Sequence, residues 1–165
     1  MSKKKKPGAL TALTDYPALL QEVKSRIRHA QTRAVFAANA ELIRLYWDIG
    51  RMIDAKQDQE GWGAGVIPRL AKDLRNELPE VKGFSERNIG LMIAFYRAYP
   101  QPPAILQQPV AKLEPSTASP VALIPWGHNI LLIEKIKDLP TRLWYARQTL
   151  EQDLASDVSS PGEIS

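Results

Sequence analysis

An uninterrupted helical pattern from Tyr16 to about Asp58 constrains the fold more than any other feature of this chain. Small and apolar residues recur there at spacings of three and four, the repeat that places side chains in one stripe along an α-helix. The stripe comprises Leu20, Val23, Ile27, Ala30, Ala34, Ala38, Leu42, Leu45, Ile49 and Met52. A helix of this length measures about 60 Å. It is too long for the core of one small domain, so we expect it either to break between Arg28 and Arg33 or to pair with another chain.

Helical patterns also follow the glycines at positions 61, 63 and 65, over residues 64–78, 85–99, 129–137 and 140–154. Asp15 and Ser85 stand directly before such patterns and are expected to be helix N-caps. The residues predicted to be buried in the later helices are Ile89, Met92, Ile93, Tyr96, Leu143, Ala146 and Leu150. Tryptophans are expected to anchor the core and its corners: Trp47, Trp62, Trp126 and Trp144.

The period-two alternation of a strand persists nowhere, so we predict an all-α protein. It is a helical domain with a long N-terminal helix, a helix-turn-helix-like unit and a proline-rich insertion. Residues 1–14 are predicted to be a disordered basic tail, and residues 15–99 a helical domain with the helix-turn-helix-like unit at 62–99. Residues 100–125 hold seven of the 13 prolines and predict a linker or surface insertion. Residues 126–154 predict a C-terminal helical hairpin on the same domain, and residues 155–165 a disordered tail.

Composition excludes several classes of protein. The 165 residues include no cysteine, which removes disulfide frameworks, thiolate nucleophiles and cysteine-bound zinc. No apolar run approaches the roughly 20 residues that span a bilayer, and no signal peptide is recognisable. We therefore expect a soluble, cytoplasmic protein. The net charge of +4 equals the charge of the lysines at positions 3–6, and within the folded part only residues 61–100 carry a basic excess, six against four.

The two helices at residues 64–78 and 85–99 are joined by a short turn and predict a helix-turn-helix. Opposite the apolar side of the second helix stand Arg87, Gly90, Ala94 and Arg97, two guanidinium groups flanking two small side chains that permit close approach to DNA. The candidate DNA-binding residues are Arg87, Asn88, Arg97, Lys82, Arg69, Lys72 and Arg75. The alternative from the same residues is an ordinary helical hairpin with a charged, solvated face.

A nuclease site finds little support in the residues themselves. The triplets Glu22-Val23-Lys24 and Glu80-Val81-Lys82 resemble a Glu-x-Lys motif, which a metal-dependent nuclease carries on a strand. Here one triplet falls within a predicted helix, where residues two apart diverge, and the other in a turn. His29 and His128 have no partners at metal-ligand spacing. We expect no catalytic, metal-binding or cofactor-binding residues.

Three blocks of the sequence resemble a known family. They read LYWDIGRMI, GWGAGVIPRLAKDLRNELPEVKGFSERNIGLMIAFYRAYP and IPWGHNILLIEKIKDLPTRLWYARQTLEQ. In this order they resemble the N-terminal domain of the YhcG-type PD-(D/E)XK nuclease family, over roughly residues 20–153. The resemblance implies a helical N-terminal domain that binds DNA through a helix-turn-helix-like unit and precedes a nuclease domain.

The chain departs from that pattern because the nuclease half is missing after residue 154. We therefore expect no catalysis by this polypeptide. Two functions remain open on these grounds. One is a non-catalytic DNA-binding module; the other is a protein-interaction or oligomerisation module that partners a separate nuclease subunit or self-associates through the long first helix.

Overall fold

The computed structural model describes residues 5–63, 65–101 and 119–163, and these residues contain helices and no strand. The prediction of an all-α fold with a long N-terminal helix is confirmed. The helices are α1 (Lys5–Glu60), α2 (Val66–Glu77), α3 (Glu86–Ala98), α4 (Pro120–Leu123), α5 (Trp126–Lys135) and α6 (Leu139–Glu163). Within this described part, no helix is both long enough and apolar enough to cross a membrane.

The chain divides into two units, one ending at Phe36 and the other beginning at Ala37. The first unit contains only the N-terminal part of α1. Six of its large apolar side chains are exposed: Tyr16, Leu19, Leu20, Val23, Ile27 and Val35. The second unit contains the rest of α1 and all of α2 to α6.

The core of the second unit forms around α3. In one cluster, Phe95 and Tyr99 pack with residues of α1, α4 and α5, among them Ile43, Val121 and Ile133. In a second cluster, apolar residues of α3 pack with others from α1 and α2: Ile53, Ala71, Ile89 and Ile93. The predicted burial of Ile89, Met92, Ile93, Ala146 and Leu150 is confirmed, whereas Tyr96 and Leu143 are half-buried.

The face of α1 that enters this core differs from the predicted stripe. Leu42, Leu45 and Met52 are exposed, and only Ile49 of that part of the stripe packs against a core cluster. The buried face instead comprises Ala40, Ile43, Tyr46, Trp47, Gly50 and Ile53. Both sets recur at helical spacing, so periodicity alone did not distinguish the core-facing side from the outer side.

Gly50 lies where α1 crosses α3, and it does not end the helix. A Cβ atom at this position would overlap the carbonyl oxygen of Met92. Glycine has no Cβ atom, and this lets the two helix backbones approach so closely. This glycine therefore serves the packing of the two helices.

The boundaries of α1 and α6 also differ from expectation. α1 begins at Lys5, so Asp15 lies inside the helix and is not its N-cap, and Pro17 is internal. The predicted break between Arg28 and Arg33 does not occur. α6 extends to Glu163, into the segment expected to be a disordered tail. Lys3 and Lys4 lie outside the described residues.

The end of the predicted proline-rich linker is part of the core. Val121, Ala122, Leu123 and Ile124 are almost completely inaccessible to solvent. Residues 102–118 of that segment lie outside the described residues. The prediction of a loop rested on proline content, which carries no information about burial. The run of apolar residues after Pro120 is the feature that indicates burial.

Two asparagine side chains hold α4 by its carbonyl groups. Asn39 of α1 donates to the carbonyl oxygens of Ala122 and Ile124, at 3.1 and 2.7 Å. Asn129 of α5, completely buried, donates to Val121 at 2.8 Å. A helix this short leaves most of its carbonyl groups without an intrahelical partner, so these amides supply the hydrogen bonds that burial requires.

The tryptophans divide into two pairs. Trp47 is buried and donates to the Tyr99 carbonyl oxygen at 2.7 Å, and Trp126 packs on the core. Trp62 and Trp144 are 42% and 54% exposed, so their predicted role as core anchors is wrong. Trp144 makes an edge-to-face contact with the similarly exposed Tyr145.

Candidate nucleic-acid interface

The turn between α2 and α3 brings basic side chains to the start of α3. Eight residues, 78–85, separate the two helices, and Gly83 adopts a φ of 96°, a conformation that favours glycine. Ser85 is the N-cap of α3, as predicted, because its hydroxyl oxygen accepts the Asn88 backbone N–H at 3.1 Å. The preceding segment therefore ends at the positive pole of the α3 dipole.

Arg75 and Lys82 line one hollow beside that helix terminus. The hollow has a volume of about 180 Å³, and Phe84 and Ser85 complete its wall at the start of α3. Two cations next to the positive pole of a helix form an arrangement that attracts anions, phosphate among them.

The other candidates on α2 and at the start of α3 are exposed. Arg69 lies 3.9 Å from Asp73, its neighbour one turn away, and both side chains are largely in solvent. Lys72 and Arg87 are exposed as well. We refer to Arg69, Lys72, Arg75, Lys82 and Arg87 together as the α2–α3 basic surface.

Asn88 is engaged within the protein. Its amide nitrogen donates to the Gly83 carbonyl oxygen at 2.6 Å, and its amide oxygen accepts the Trp126 indole N–H at 2.8 Å. It also hydrogen-bonds Tyr46: burial raises the pKa of that phenol, and the hydrogen bond acts in the opposite direction. With both ends of its amide occupied, Asn88 joins the turn to α5 and has no free group for a base edge.

Arg97 is also paired. Its Nε and a terminal nitrogen each lie 2.7 Å from one carboxylate oxygen of Asp54, a side chain that is only 17% exposed. The Arg97 side chain is 60% exposed, so it lies outward as the sequence predicted, but its charge is matched by a half-buried acid. Releasing it for a phosphate would leave Asp54 without a counter-charge.

The outer face of α3 contains the predicted small residues. Gly90 has open space where a Cβ would project, and Ala94 is exposed. Both line an open groove of about 740 Å³ together with Arg97 and Ala98. We call it the α3 groove. Because side chains of α1, α2, α5 and α6 complete its walls, this face of α3 is recessed and does not project as a recognition helix does.

Arg142 was missed by the sequence analysis. It is 6% exposed, lines the α3 groove and lies over the Tyr99 ring, 4.8 Å from the ring centroid. Burial raises the pKa of the Tyr99 phenol, which the nearby guanidinium partly offsets. The signal was its spacing: Arg142 stands four and eight residues before Ala146 and Leu150, on the apolar face of its helix.

The nuclease-like triplets lie where the sequence placed them. Glu22 and Lys24 are on α1, and Glu80 and Lys82 are in the turn after α2. In the described part of the chain, no three His, Cys, Asp or Glu side chains are grouped so as to hold a metal ion.

A family model described as the DUF1016 N-terminal domain matches residues 22–159. The chain belongs to this family. The match includes both core clusters, the α2–α3 basic surface and the α3 groove, and the resemblance to the N-terminal domain of YhcG-type proteins is consistent with it. This DUF1016 N-terminal domain has no significant match among curated proteins or solved structures.

Proposed function

We propose that this DUF1016 N-terminal domain binds DNA through the α2–α3 basic surface and contacts mainly the phosphate backbone. The observation that carries the proposal is that Arg75 and Lys82 share a hollow at the N-terminus of α3. Arg69, Lys72 and Arg87 extend the positive charge to either side along exposed faces.

The arrangement favours phosphate contact over the reading of bases. Asn88, the side chain best suited to an adenine edge, is occupied by Gly83 and Trp126. Gly90 and Ala94 are recessed in the α3 groove. Exposed arginine and lysine side chains around this turn can reach phosphates without inserting a helix into a groove of DNA.

The experiment is an anisotropy titration of a fluorescent duplex over a salt series with the Arg75→Ala/Lys82→Ala variant. We expect affinity to fall about tenfold or more and the salt dependence, the slope of log K against log salt, to decrease by about two. The matched control is Lys135→Ala/Arg147→Ala, which removes the same charge from exposed positions on α5 and α6. An equal loss of DNA affinity in both double variants would show that only the net charge matters and would contradict the proposed site.

Two single variants distinguish the contributions of the arginines on α3. Arg87→Ala should weaken binding, because its guanidinium has no ion-pair partner among the described residues. Arg97→Ala should leave DNA affinity within about twofold, since its guanidinium is already held by Asp54. A larger loss of DNA affinity for Arg97→Ala than for Arg87→Ala would show that the middle of α3 contacts the DNA.

We infer further that the bound DNA is not cut by this chain. The family match covers an N-terminal domain alone, and the Glu-x-Lys triplets lie on a helix and in a turn. The expected result is that supercoiled plasmid stays intact with the protein and Mg²⁺. Cleavage lost in Glu80→Gln but retained in Glu77→Gln would contradict this inference.

A second candidate function is association through α1, either between copies or with a nuclease subunit. It rests on the exposed apolar side chains of the first unit, which range from 40% to 67% exposed. Contiguous apolar surface of this kind marks interaction sites. Sedimentation of the wild type and of Leu20→Glu/Ile27→Glu tests it: we expect oligomers only in the wild type and in the control Gln21→Glu/Gln31→Glu. If the wild type were monomeric at high concentration, self-association would be contradicted and α1 could associate only with a different protein.

A further inference from the structure

The α3 groove has a row of small residues along α3. Gly90, Ala94 and Ala98 stand four residues apart and so lie on one line along the helix, over about 12 Å. Nothing lies within 4 Å of the position that a Gly90 Cβ would occupy. Ile67 of α2 and Ile133 of α5 supply apolar surface beside the row. A second helix can approach the α3 backbone closely at such a row, because no side chain holds it away.

At the Ala98 end of the row lies a buried guanidinium, that of Arg142, which forms no ion pair with a described residue. The exposed carboxylate of Asp138 acts on it only from a longer distance. The Arg142 guanidinium donates to the carbonyl oxygens of Ala98, at 3.1 Å, and of Ile136, at 3.4 Å, and its Nε has no hydrogen-bond partner. Among the described residues, no carboxylate lies within ion-pair distance of it. The two carbonyl groups and the Tyr99 ring offset only part of the cost of burying this guanidinium. A carboxylate supplied from outside at hydrogen-bond distance would lower that cost.

Lys137 adds to the positive charge of this end. It is exposed and lines the α3 groove together with Arg142. Lys137 lies two residues before the start of α6, and Arg142 lies in the first turns of that helix. Glu134 on the wall is the one acidic side chain that lines the groove in the described structure. The groove is thus lined by small and apolar residues along most of its length and by basic residues at one end.

We propose that the α3 groove binds an amphipathic α-helix of a partner protein, with small or apolar side chains over Gly90, Ala94 and Ala98 and a carboxylate beside Arg142 and Lys137. The recessed shape selects a rod of about helix width over the convex edge of a DNA backbone. A second copy's α1 is a poor fit, because residues 22–33 carry four basic side chains and one acidic. The inference does not depend on DNA binding.

The probe for the test is a fluorescein-labelled, amidated, alanine-rich helical peptide with leucines at every third or fourth position and one glutamate near its C-terminus. Its binding to the full chain is measured by anisotropy. We expect saturable binding, and a loss of about tenfold when the probe's glutamate becomes glutamine, the usual effect of losing one charged hydrogen bond.

Ala94→Leu tests the groove without touching the core, since Ala94 is exposed. The added side chain fills the small-residue row and should weaken probe binding about tenfold or more, whereas the matched control Ala94→Ser should stay within about twofold. Arg142→Gln should weaken binding as the probe's own substitution does. If that variant fails to fold, Lys137→Ala gives the same reading from an exposed position.

Several outcomes would overturn the proposal. They are absence of saturable binding, equal affinity of Ala94→Leu and wild type, and indifference to the probe's glutamate. Displacement of the probe by duplex DNA would make nucleic acid the occupant of the groove. A shift from dimer to monomer in Ala94→Leu would make a second copy the occupant.

Discussion

At the scale of single residues, Gly50 and Gly90 are helical glycines in opposite surroundings. Gly50 faces the Met92 carbonyl group at the crossing of α1 and α3, and Gly90 faces the open α3 groove. Alanine raises helix propensity at both positions by about 1 kcal/mol. Because this gain is common to Gly50→Ala and Gly90→Ala, the difference between their effects on stability reports the space available for a methyl group at each position.

We predict that Gly50→Ala lowers the free energy of unfolding by about 1–3 kcal/mol, because the two helix backbones must move apart to admit the methyl group. Gly90→Ala, the matched control, should raise it by about 0.5–1 kcal/mol. Urea denaturation measures both. A Gly50→Ala variant as stable as Gly90→Ala would show that α1 and α3 are not in backbone contact.

Asp138 gives stability a pH dependence on the acidic side. Its carboxylate accepts the Thr141 hydroxyl and backbone N–H at the start of α6, and these hydrogen bonds hold its pKa below the ordinary value of 3.8. A lowered folded-state pKa means that stabilisation is complete above the unfolded value and is lost as pH falls through the folded value.

We therefore predict that Asp138→Asn melts at a lower temperature than the wild type at neutral pH. The difference should begin to shrink as the pH falls below 3.8 and should disappear only below the lowered folded-state pKa, where Asp138 is protonated in the folded protein as well. Thermal denaturation followed by circular dichroism over a pH series checks this. If the difference in melting temperature stayed the same at the lowest pH, its cause would be the shape of the side chain and not its charge.

At the scale of elements, α4 shows how a four-residue helix persists in a core. Val121 cannot use the ordinary helical bond, because the residue four positions later is Pro125, which has no N–H. Asn129 supplies the missing donor at 2.8 Å from a fully buried position.

We predict that Asn129→Leu, similar in size but without a donor, costs about 1–3 kcal/mol of stability and accelerates amide exchange in residues 119–124. Asn76→Leu, on the exposed face of α2, is the control and should change stability by less than about 0.5 kcal/mol. Unchanged exchange in α4 would mean that packing alone holds it.

The α2–α3 pair shows where local sequence signals suffice. Ser85 as N-cap and the outward positions of Arg87, Gly90, Ala94 and Arg97 follow from helical spacing and capping chemistry, and the structure agrees with both. The pairing of Arg97 does not follow from spacing. Its partner Asp54 is 43 positions away, on another helix.

At the scale of the whole molecule, Ala40 is the first buried side chain among residues 14–163 whose burial is described, and α1 begins at Lys5. We predict that a chain beginning at Ala37 folds with a denaturation midpoint within a few degrees, about 2–4 °C, of the full-length midpoint, because no side chain whose burial is described in residues 14–36 is buried. Circular dichroism melting checks this. A chain that fails to fold would show that the first unit contributes to the core. Loss of oligomers on the same truncation would support association through α1.

The sequence by itself determined what depends on neighbours within a turn of helix. These features are the helical class, the approximate positions of α2 and α3, the Ser85 cap and the side of α3 that lies outward. Each rests on spacings of three to four residues or on one capping side chain, so no knowledge of distant segments is needed.

Only the tertiary structure decided which of two apolar faces of α1 is buried and that residues 119–124 belong to the core. It also decided that Asn88 and Arg97 are internally engaged and that Arg142 is buried beside a groove. The physical reason is common to all of them. Burial and pairing are set by contacts between segments far apart in the chain, as in the hydrogen bond from Asn39 to Ile124, 85 positions away. A local pattern predicts a helix, and the packing of its neighbours decides which of its sides contacts them.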